Sequence, residues 1–277
     1  MTTNQSTSNN SQDYRDLFSL KDKTAIVTGA VGHLGSAISK ALAAHGAKVV
    51  LLGRTEEKLK EFIEQNNPAF ENNFEYKVCD VTNTPQFKQI VDEIITEKGS
   101  IDILVNCAFN EQRKKPEDIT PEDWREGMKN ILDHVFFCSQ AVIPQMLKQG
   151  KGGSIINIAS IYGFLGIDQR AYQEVPSSTI FYSTAKGGII QMTRRLATEY
   201  ASKGIRFNSI SPGFFPKPPQ PGQPGRPGYV IGLAHKTPMQ RIGSPDELAG
   251  TAVFLASEAS SYITGQNIVV DGGFSAW

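Results

Sequence analysis

The sequence predicts an α/β protein, a single Rossmann-type domain whose doubly wound parallel sheet carries helices on both faces. Short apolar segments alternate with helical segments along the chain, which is the order expected when helices cover both faces of a parallel sheet. A glycine-rich turn joins the first strand to the first helix. Polar residues follow several strand ends, and such sheets bind their ligands at those ends.

Seven strands are predicted from short apolar runs, several of them rich in β-branched residues. They cover residues 24–28, 47–52, 74–79, 101–106, 154–158, 205–210 and 267–270. Six helices are predicted between them: a small-residue helix at 36–44, an amphipathic one at 56–65, then 87–98, a long one at 121–149, 183–200 and 245–257. The stretch 216–228 holds six prolines and three glycines, which argues against regular structure there. Because it follows a strand end, we interpret it as a lid or pocket wall, with a surface loop as the alternative.

The composition excludes several classes of function. Lys plus Arg is 28 and Asp plus Glu is 28, so no basic surface for nucleic acid or anionic membrane is indicated. No apolar run reaches the roughly 18 residues that a membrane span needs. The three cysteines, at positions 79, 107 and 138, lack the spacing of a zinc site and indicate free thiols in a reducing cytosol. We therefore predict a cytoplasmic protein without a metal.

The chain is divided into a tail and one domain. The first residues are almost all Thr, Asn, Gln and Ser, which excludes a signal peptide and predicts disorder. We assign residues 1–18 to a disordered tail and 19–277 to the catalytic domain. A chain of 277 residues is long enough for one large core.

The glycine-rich turn runs from Thr28 to Gly35, between a strand and a helix. Glycine permits a tight turn and a close backbone approach to a pyrophosphate, which the helix N-terminus attracts. The predicted dinucleotide contacts here are Gly29, Val31, Gly32, His33, Leu34 and Gly35.

The second strand ends at Gly53-Arg54, where NAD-binding enzymes usually place a carboxylate for the ribose diol. Without that carboxylate, Arg54 is free to bind a 2′-phosphate. NADP(H) is therefore favoured, and NAD(H) stays possible, because Arg54 is also compatible with an ordinary solvated side chain. Asp80, with Val81 after it, is assigned to the adenine amino group or to a helix N-cap.

A tyrosine and a lysine four residues apart, Tyr182 and Lys186, fall on one face of a helix. A free phenol has a pKa of about 10, and a nearby ammonium group lowers it by roughly 1–3 pH units. The pair is then a general acid/base usable near neutral pH. Ser160 lies upstream, and its hydroxyl is suited to hold a substrate oxygen.

Seven motifs in order make the chain resemble the short-chain dehydrogenase/reductase family, from about residue 20 to 277. They are Thr28-Gly29 with Gly35, Asp80-Val81, Asn106-Cys107-Ala108, the run 154–160 ending in Ser160, Tyr182 with Lys186, Ser211-Pro212-Gly213, and the run 263–273. The resemblance implies a Rossmann-type fold and a nicotinamide cofactor. It also implies that Ser160 orients the carbonyl or alcohol, Tyr182 transfers the hydroxyl proton, and Lys186 supports Tyr182 and binds the ribose.

The resemblance carries further expectations about contacts and assembly. Asn106 and Ala108 border the cofactor, and Pro212, Gly213 and Phe215 lie along the nicotinamide. Family members are usually dimers or tetramers, so a homodimer or homotetramer is expected, with the long helices after residues 121 and 183 at an interface.

Four departures from the family pattern stand out. His33 replaces the middle glycine of the turn, as a phosphate donor or an exposed loop histidine, and Phe109 replaces the glycine after Ala108. Ile131 takes the place of the helix asparagine that anchors a relay water, with Asn130 one residue, or about 100°, away. Either the helix is locally shifted or the relay is replaced. Lys217 takes the place of the threonine that binds the carboxamide.

The substrate is expected to be a small, polar carbonyl or alcohol. Twenty-one residues separate Ser160 from Tyr182, more than the family usually has, and polar side chains there suit a hydroxylated or charged substrate. The candidate substrate contacts are Phe109, Tyr162, Arg170, Tyr172 and Lys217. A sugar, sugar acid or polyol is favoured, and the chain resembles the sugar-acid branch of the family, the gluconate 5-dehydrogenases. Oxoacyl thioesters, steroids, aromatic ketones and a catalytically weak NADP(H)-binding sensor are the alternatives.

Overall fold

The computed structural model describes residues 14–71, 73–110, 114–168, 180–219 and 227–277. All seven predicted strands are present, and all pair in parallel. They are β1 (Thr24–Thr28), β2 (Lys48–Gly53), β3 (Phe74–Val78), β4 (Ile103–Asn106), β5 (Gly153–Ile158), β6 (Ile205–Pro212) and β7 (Asn267–Val270). They form one sheet in the order β3-β2-β1-β4-β5-β6-β7.

The helices are α1 (His33–Ala44), α2 (Glu56–Asn66), α3 (Thr84–Lys98), α4 (Pro121–Met128), α5 (His134–Gln149), α6 (Ile180–Tyr200), α7 (Pro227–His235) and α8 (Pro245–Ala256). The helix predicted at 121–149 is thus divided: a π-helical segment, Lys129–Asp133, separates α4 from α5. The prediction of one continuous helix was therefore wrong. The sequence does not reveal the break, because a π turn leaves the apolar pattern of the run unchanged.

Three predicted helix starts also need correction. Helix α1 begins at His33, α3 at Thr84 and α6 at Ile180, each three residues before the predicted start. Helix α7 was not predicted, and it begins inside the proline-rich stretch. A proline is tolerated in the first turn of a helix, where its missing N–H has no intrahelical partner. Residues 220–226 of that stretch lie outside the described residues.

The predicted disordered tail includes one turn of regular structure. Tyr14–Phe18 form a 3₁₀ turn, and residues 1–13 lie outside the described part of the chain. The three cysteines are free thiols, with Cys79 and Cys138 buried and Cys107 half-buried. No helix among the described residues is both long and apolar enough to cross a bilayer.

The core has two layers, one on each face of the sheet. Ala25 and Val27 of β1 pack into the layer under α1 and α8, whereas Ile26 points to the opposite layer under α3 and α5. A strand that is buried on both faces must be apolar throughout, which explains the unbroken apolar run of β1. The strand order reverses between β1 and β4, and a crevice is expected at the carboxyl ends of the strands there.

Candidate active site

A cleft of about 360 Å³ opens at the carboxyl edge of the sheet, beside the β1–β4 boundary. Its volume is in the range of small-molecule sites. Most of the predicted site residues line it: Gly29, Gly32, His33, Leu34, Gly35, Arg54, Asp80, Val81, Ala108, Phe109, Ser160, Tyr182, Lys186, Pro212, Gly213, Phe215 and Lys217. Residues that are far apart in the sequence therefore meet at the edge where the fold predicts a ligand.

The glycine-rich turn is held very close to the first helix. A Cβ placed on Gly35 would lie 2.2 Å from the carbonyl oxygen of Gly29, far inside van der Waals contact. The turn therefore requires glycine at position 35, and Gly29, Gly32 and Gly35 line the cleft beside the N-terminus of α1. This arrangement fits the pyrophosphate of a dinucleotide, which binds at such a helix terminus.

His33 is the first residue of α1 and is half-buried, so it is not an exposed loop histidine. Its ring lies beside the backbone of Phe215 and Pro216, and its Nε2 atom is buried without a hydrogen-bond partner among the described residues. Burial, and after it the positive charge of Lys217, lowers the pKa of His33. The glycine-rich turn thus holds one buried nitrogen, His33 Nε2, that has no hydrogen-bond partner among the described residues.

Arg54 is exposed and lines the cleft just beyond the end of β2. Asp80 accepts two hydrogen bonds from Thr82, through its backbone N–H at 2.9 Å and its hydroxyl at 2.8 Å. Burial by itself would raise the pKa of Asp80, but these hydrogen bonds and the charges of Arg54 and Lys129 outweigh it and lower the pKa. Asp80 is therefore a carboxylate, and the N-cap of α3 is Asn83 instead.

The loop after β4 is fixed to β1 by one hydroxyl. The Oγ1 atom of Thr28 accepts the backbone N–H groups of Cys107 and Ala108, both at 3.1 Å. Asn106 does not line the cleft. Its amide donates to Asn157 Oδ1 of β5 at 2.9 Å and to Ser139 Oγ of α5 at 3.2 Å, so it ties neighbouring elements together and does not border the cleft as expected.

Ser160, Tyr182 and Lys186 line the same cleft from two different segments. Ser160, just after β5, is 5% exposed, and its Oγ accepts the backbone N–H of Tyr162 at 3.1 Å. Lys186 is 4% exposed and donates from Nζ to the carbonyl oxygen of Ile158 at 2.7 Å. The same Nζ lies 5.7 Å from the ring centroid of Tyr182. The ammonium is thus buried beside the phenol ring and donates to a backbone carbonyl.

Two glycines allow the Ser160 turn to lie directly on α6. A Cβ on Gly163 would meet the backbone of Lys186 at 2.8 Å, and one on Gly187 would lie 2.9 Å from the Gly163 carbonyl. The turn that carries Ser160 therefore contacts the helix that carries the tyrosine and lysine at backbone distance. This contact, which the sequence analysis did not identify, brings the three side chains into one cleft.

Several predicted residues are not brought to the cleft. Val31 packs against the core layer under α1. Tyr162 packs against a small apolar cluster of Ile161, Phe214 and Leu233 and is not a lining residue of the cleft. Arg170 and Tyr172 lie outside the described residues. Asp168, from the same insertion, pairs with Lys236 at 2.8 Å.

Other cleft residues were missed by the sequence analysis. Asn130, which was not assigned a role, lines the cleft together with Cys107, Asn110 and His134. Ile131, which takes the family's asparagine position, is fully buried in the core between α5 and α6. Both Asn130 and Ile131 belong to the π-helical segment. A histidine in an otherwise apolar helix was the available signal for His134.

Comparison with known proteins supports the assignment that this geometry suggests. A family model described as enoyl-(acyl carrier protein) reductase matches residues 29–275. The chain is 35% identical over 260 residues to a gluconate 5-dehydrogenase of Gluconobacter oxydans (strain 621H), covering 94% of this chain and 97% of that protein. The chain belongs to the short-chain dehydrogenase/reductase family. As a member of that family it is an oxidoreductase that acts on CH–OH groups.

Solved structures of the same family have the same fold. One is a gluconate 5-dehydrogenase from Burkholderia cenocepacia J2315 in complex with NADP and tartrate, with a TM-score of 0.83, 33% identity, and 95% of this chain and 98% of that chain covered. Another is a short-chain dehydrogenase from Leptospira borgpetersenii with bound NAD⁺, with a TM-score of 0.79, 33% identity, and coverage of 92% and 93%. Relatives of equal sequence identity thus hold NADP in one case and NAD⁺ in the other.

Proposed function

We propose that this short-chain dehydrogenase/reductase interconverts a ketone and a secondary alcohol of a sugar acid or polyol with NADP(H), and that Ser160, Tyr182 and Lys186 form its catalytic centre. The observation that carries the proposal is the meeting of a buried ammonium, a phenol and a serine hydroxyl in one cleft beside the glycine-rich turn. Gly29, Gly32, His33, Leu34, Gly35 and Val81 are proposed to bind the dinucleotide.

Each of the three side chains has a separate task. Ser160 holds the substrate oxygen by a hydrogen bond. Tyr182 gives its proton to that oxygen during reduction and removes the proton during oxidation. Lys186 supplies a positive charge, which favours the phenolate form of Tyr182. The nicotinamide, when bound, supplies or accepts the hydride.

The charges of the cleft support a phosphate-rich cofactor. Arg54, Lys186 and Lys217 are cations that line it, whereas Asp80 is the one ionised carboxylate among the described lining residues. Asp80 is suited to accept the adenine amino group. Arg54 is suited to pair with a 2′-phosphate, because no acidic residue takes the ribose position at Gly53. These features favour NADP(H) over NAD(H).

The substrate assignment is supported by Lys217 and by the relatives. Lys217 is exposed to the cleft and forms no ion pair with another described residue, so it can bind a substrate carboxylate. Asp168, the nearest acidic residue of the insertion after Ser160, is neutralised by Lys236. The Gluconobacter relative is named for gluconate, a polyhydroxy acid, and the Burkholderia structure holds tartrate. Phe109, whose ring packs 6.1 Å from that of Tyr182, is proposed as an apolar wall of the substrate site.

Assembly into a homodimer or homotetramer is also proposed. Phe136 and Phe137 on α5 are each 37% exposed, and Leu147 on the same helix is 39% exposed. Exposed aromatic and aliphatic side chains on one helix suit an interface between copies. Helix α5 also belongs to the helical region after residue 121, which the family resemblance implies to lie at an interface.

The test measures NADPH oxidation with a panel of keto sugar acids, keto polyols, oxoacyl thioesters and aromatic ketones. Tyr182→Phe should lower kcat by about 10²–10⁴-fold while NADPH binding, followed by fluorescence, changes little. Tyr200→Phe, at the far end of α6, is the matched control and should retain full activity.

The outcomes separate the alternatives. Undiminished activity in Tyr182→Phe rejects Tyr182 as the acid. Turnover of an oxoacyl thioester or an aromatic ketone but of no sugar derivative rejects the substrate assignment. Cofactor binding without turnover of any substrate favours a sensor protein over an enzyme.

A further inference from the structure

The π-helical junction between α4 and α5 contacts the loop after β4 at two points. The backbone N–H of Asn110 donates to the carbonyl oxygen of Asn130 at 3.4 Å. One turn later, the Nε2 atom of His134 lies 2.9 Å from the carbonyl oxygen of Ala108. Phe109 lies between Ala108 and Asn110, so the residues on both sides of it are hydrogen-bonded to the junction.

His134 is suited to a fixed role as a hydrogen-bond donor. It is 2% exposed, and its Nε2 faces a carbonyl oxygen, so Nε2 must carry the hydrogen. Burial is the main reason that the pKa of His134 is lowered to about 4; the carbonyl groups of Ala108 and Lys129 oppose this in part, and the smaller effects of Lys186, which lowers the pKa, and Asp80, which raises it, are included in that value. The ring is therefore neutral at physiological pH. Its Nδ1, 3.4 Å from the Lys129 carbonyl, then faces an acceptor that it cannot bond.

Ala108 is fixed from three directions. Its N–H donates to Thr28 Oγ1 at 3.1 Å. Its Cα lies against Gly29, where even a methyl group would come within 2.8 Å. Its carbonyl is held by His134. A residue fixed at its N–H, Cα and carbonyl sets the direction in which the next side chain leaves the backbone.

That next side chain, Phe109, contacts the centre of the cleft. Its ring centroid lies 5.4 Å from Lys186 Nζ and 6.1 Å from the Tyr182 ring. An aromatic face within about 6 Å of an ammonium stabilises the cation. Phe109 is 48% exposed and Lys186 is 4% exposed. Apolar atoms beside the pair displace water, and fewer water molecules near two charges mean a stronger interaction between them.

We propose that the α4–α5 junction clamps residues 108–110 and that His134 is its positioning residue, which holds Phe109 against Lys186 and Tyr182. The proposal rests on the proposed function for the roles of Lys186 and Tyr182, but the clamp itself is a structural claim. His134 touches neither reacting atom in this scheme; it acts through Ala108 and Phe109. Its contribution is to keep the ammonium and the phenol shielded from water.

The variants at position 134 differ in whether the side chain is long enough to donate to the Ala108 carbonyl. In His134→Gln the side-chain amide N–H extends about as far as Nε2, so the bond to Ala108 is kept. In His134→Asn the amide is too short. Ser154→Ala is the matched control, because Ser154 is also buried and donates to a backbone carbonyl, that of Leu255 at 2.7 Å, away from the cleft.

His134→Asn should lower kcat by about tenfold or more, as expected when a catalytic pair loses its positioning. His134→Gln should stay within about threefold of the wild type, and Ser154→Ala should lose stability but not kcat. Phe109→Leu should reproduce the loss seen in His134→Asn. The double variant should lose no more than either single variant, because both changes interrupt one chain of contacts. Equal losses in His134→Gln and His134→Asn, or additive losses in the double variant, overturn the proposal.

Two measurements need no substrate and so separate this proposal from the proposed function. The ultraviolet absorbance titration of Tyr182, isolated by subtracting the matching Tyr182→Phe protein, should move to higher pH in Phe109→Leu and in His134→Asn, because water then weakens the influence of Lys186. In ¹⁵N NMR of the wild type, His134 should be the Nε2–H tautomer and should not titrate between pH 5 and 8. An unshifted Tyr182 titration, or a His134 that titrates near pH 6.5, overturns the clamp even if the enzyme is inactive on every substrate. A Tyr182 titration shifted to higher pH in the two variants, together with a His134 that does not titrate between pH 5 and 8, supports it.

Discussion

Lys186 is almost fully buried, which is uncommon for a lysine. The burial is tolerated because its ammonium donates to the Ile158 carbonyl at 2.7 Å and lies near two aromatic rings. An unpaired ammonium in such a place would carry a large desolvation cost. The sequence predicted the pairing of Lys186 with Tyr182 from their spacing. The Ile158 carbonyl and the Phe109 ring could not be predicted, because they reach the lysine only through the folded sheet.

Arg54 is the residue on which the cofactor preference depends. Arg54→Ala should weaken NADPH binding by about 10–100-fold, as expected for the loss of charge-assisted hydrogen bonds to a phosphate. NADH binding should change by less than about threefold, because NADH lacks the 2′-phosphate. Fluorescence titration with each dinucleotide measures both effects.

The control for this substitution is Arg194→Ala, since Arg194 is an exposed arginine on α6 whose guanidinium bonds to Gln191. It should leave both affinities unchanged. An equal loss for the two dinucleotides in Arg54→Ala would show that Arg54 contacts a part that they share, and the NADP(H) preference would then be wrong.

At the scale of elements, the glycine-rich turn combines a predicted feature with one that only the fold reveals. The strand, turn and helix were predicted in order, but α1 begins at His33 rather than three residues later. The close contact of Gly35 with the Gly29 carbonyl explains why the turn is so short. Helical residues without an apolar pattern of their own, such as His33, cannot be assigned from periodicity.

Gly35→Ala should destabilise the protein by about 1–3 kcal/mol, the usual cost of forcing extra atoms into a packed site. The added methyl group would have to displace a backbone carbonyl. Gly250→Ala is a sharp control, because Gly250 is an exposed glycine in α8 with open space around it. There the same change should stabilise by about 0.5–1 kcal/mol.

Urea denaturation of the two glycine variants measures these opposite shifts, and NADPH titration should show weaker binding in Gly35→Ala alone. Stabilisation by Gly35→Ala would mean that the turn is not packed as described.

The π segment shows why element boundaries resist prediction. The run 121–149 has helical character throughout, and a π turn changes the hydrogen-bond partner of a few residues without changing composition. Its effect is large, because one extra residue in a turn changes the direction of every later side chain by about 100°. It leaves Ile131 in the core and places His134 in the cleft.

At the scale of the whole molecule, the apolar surface of α5 predicts association. The intact protein should have the mass of two or four chains in light scattering. Phe136→Glu combined with Phe137→Glu should lower that mass, because two charges would be buried without partners in the interface. Tyr14→Glu, at an exposed tyrosine in the N-terminal turn, should leave the mass unchanged. A wild-type protein with the mass of one chain would contradict the proposed assembly.

The sequence by itself determined the fold class, the presence of all seven strands and the glycine-rich turn, and it predicted the Ser160, Tyr182 and Lys186 set that we propose as the catalytic centre. These features are written locally, in the alternation of apolar runs and in residue types at fixed spacing. The tertiary structure alone decided which side chains share the cleft. Tyr162 packs against an apolar cluster, Asn106 is hydrogen-bonded to Asn157 of the neighbouring strand, and His134 lines the cleft. Those outcomes depend on the angle at which each chain segment leaves its strand or helix, and that angle is set by packing between segments far apart in sequence.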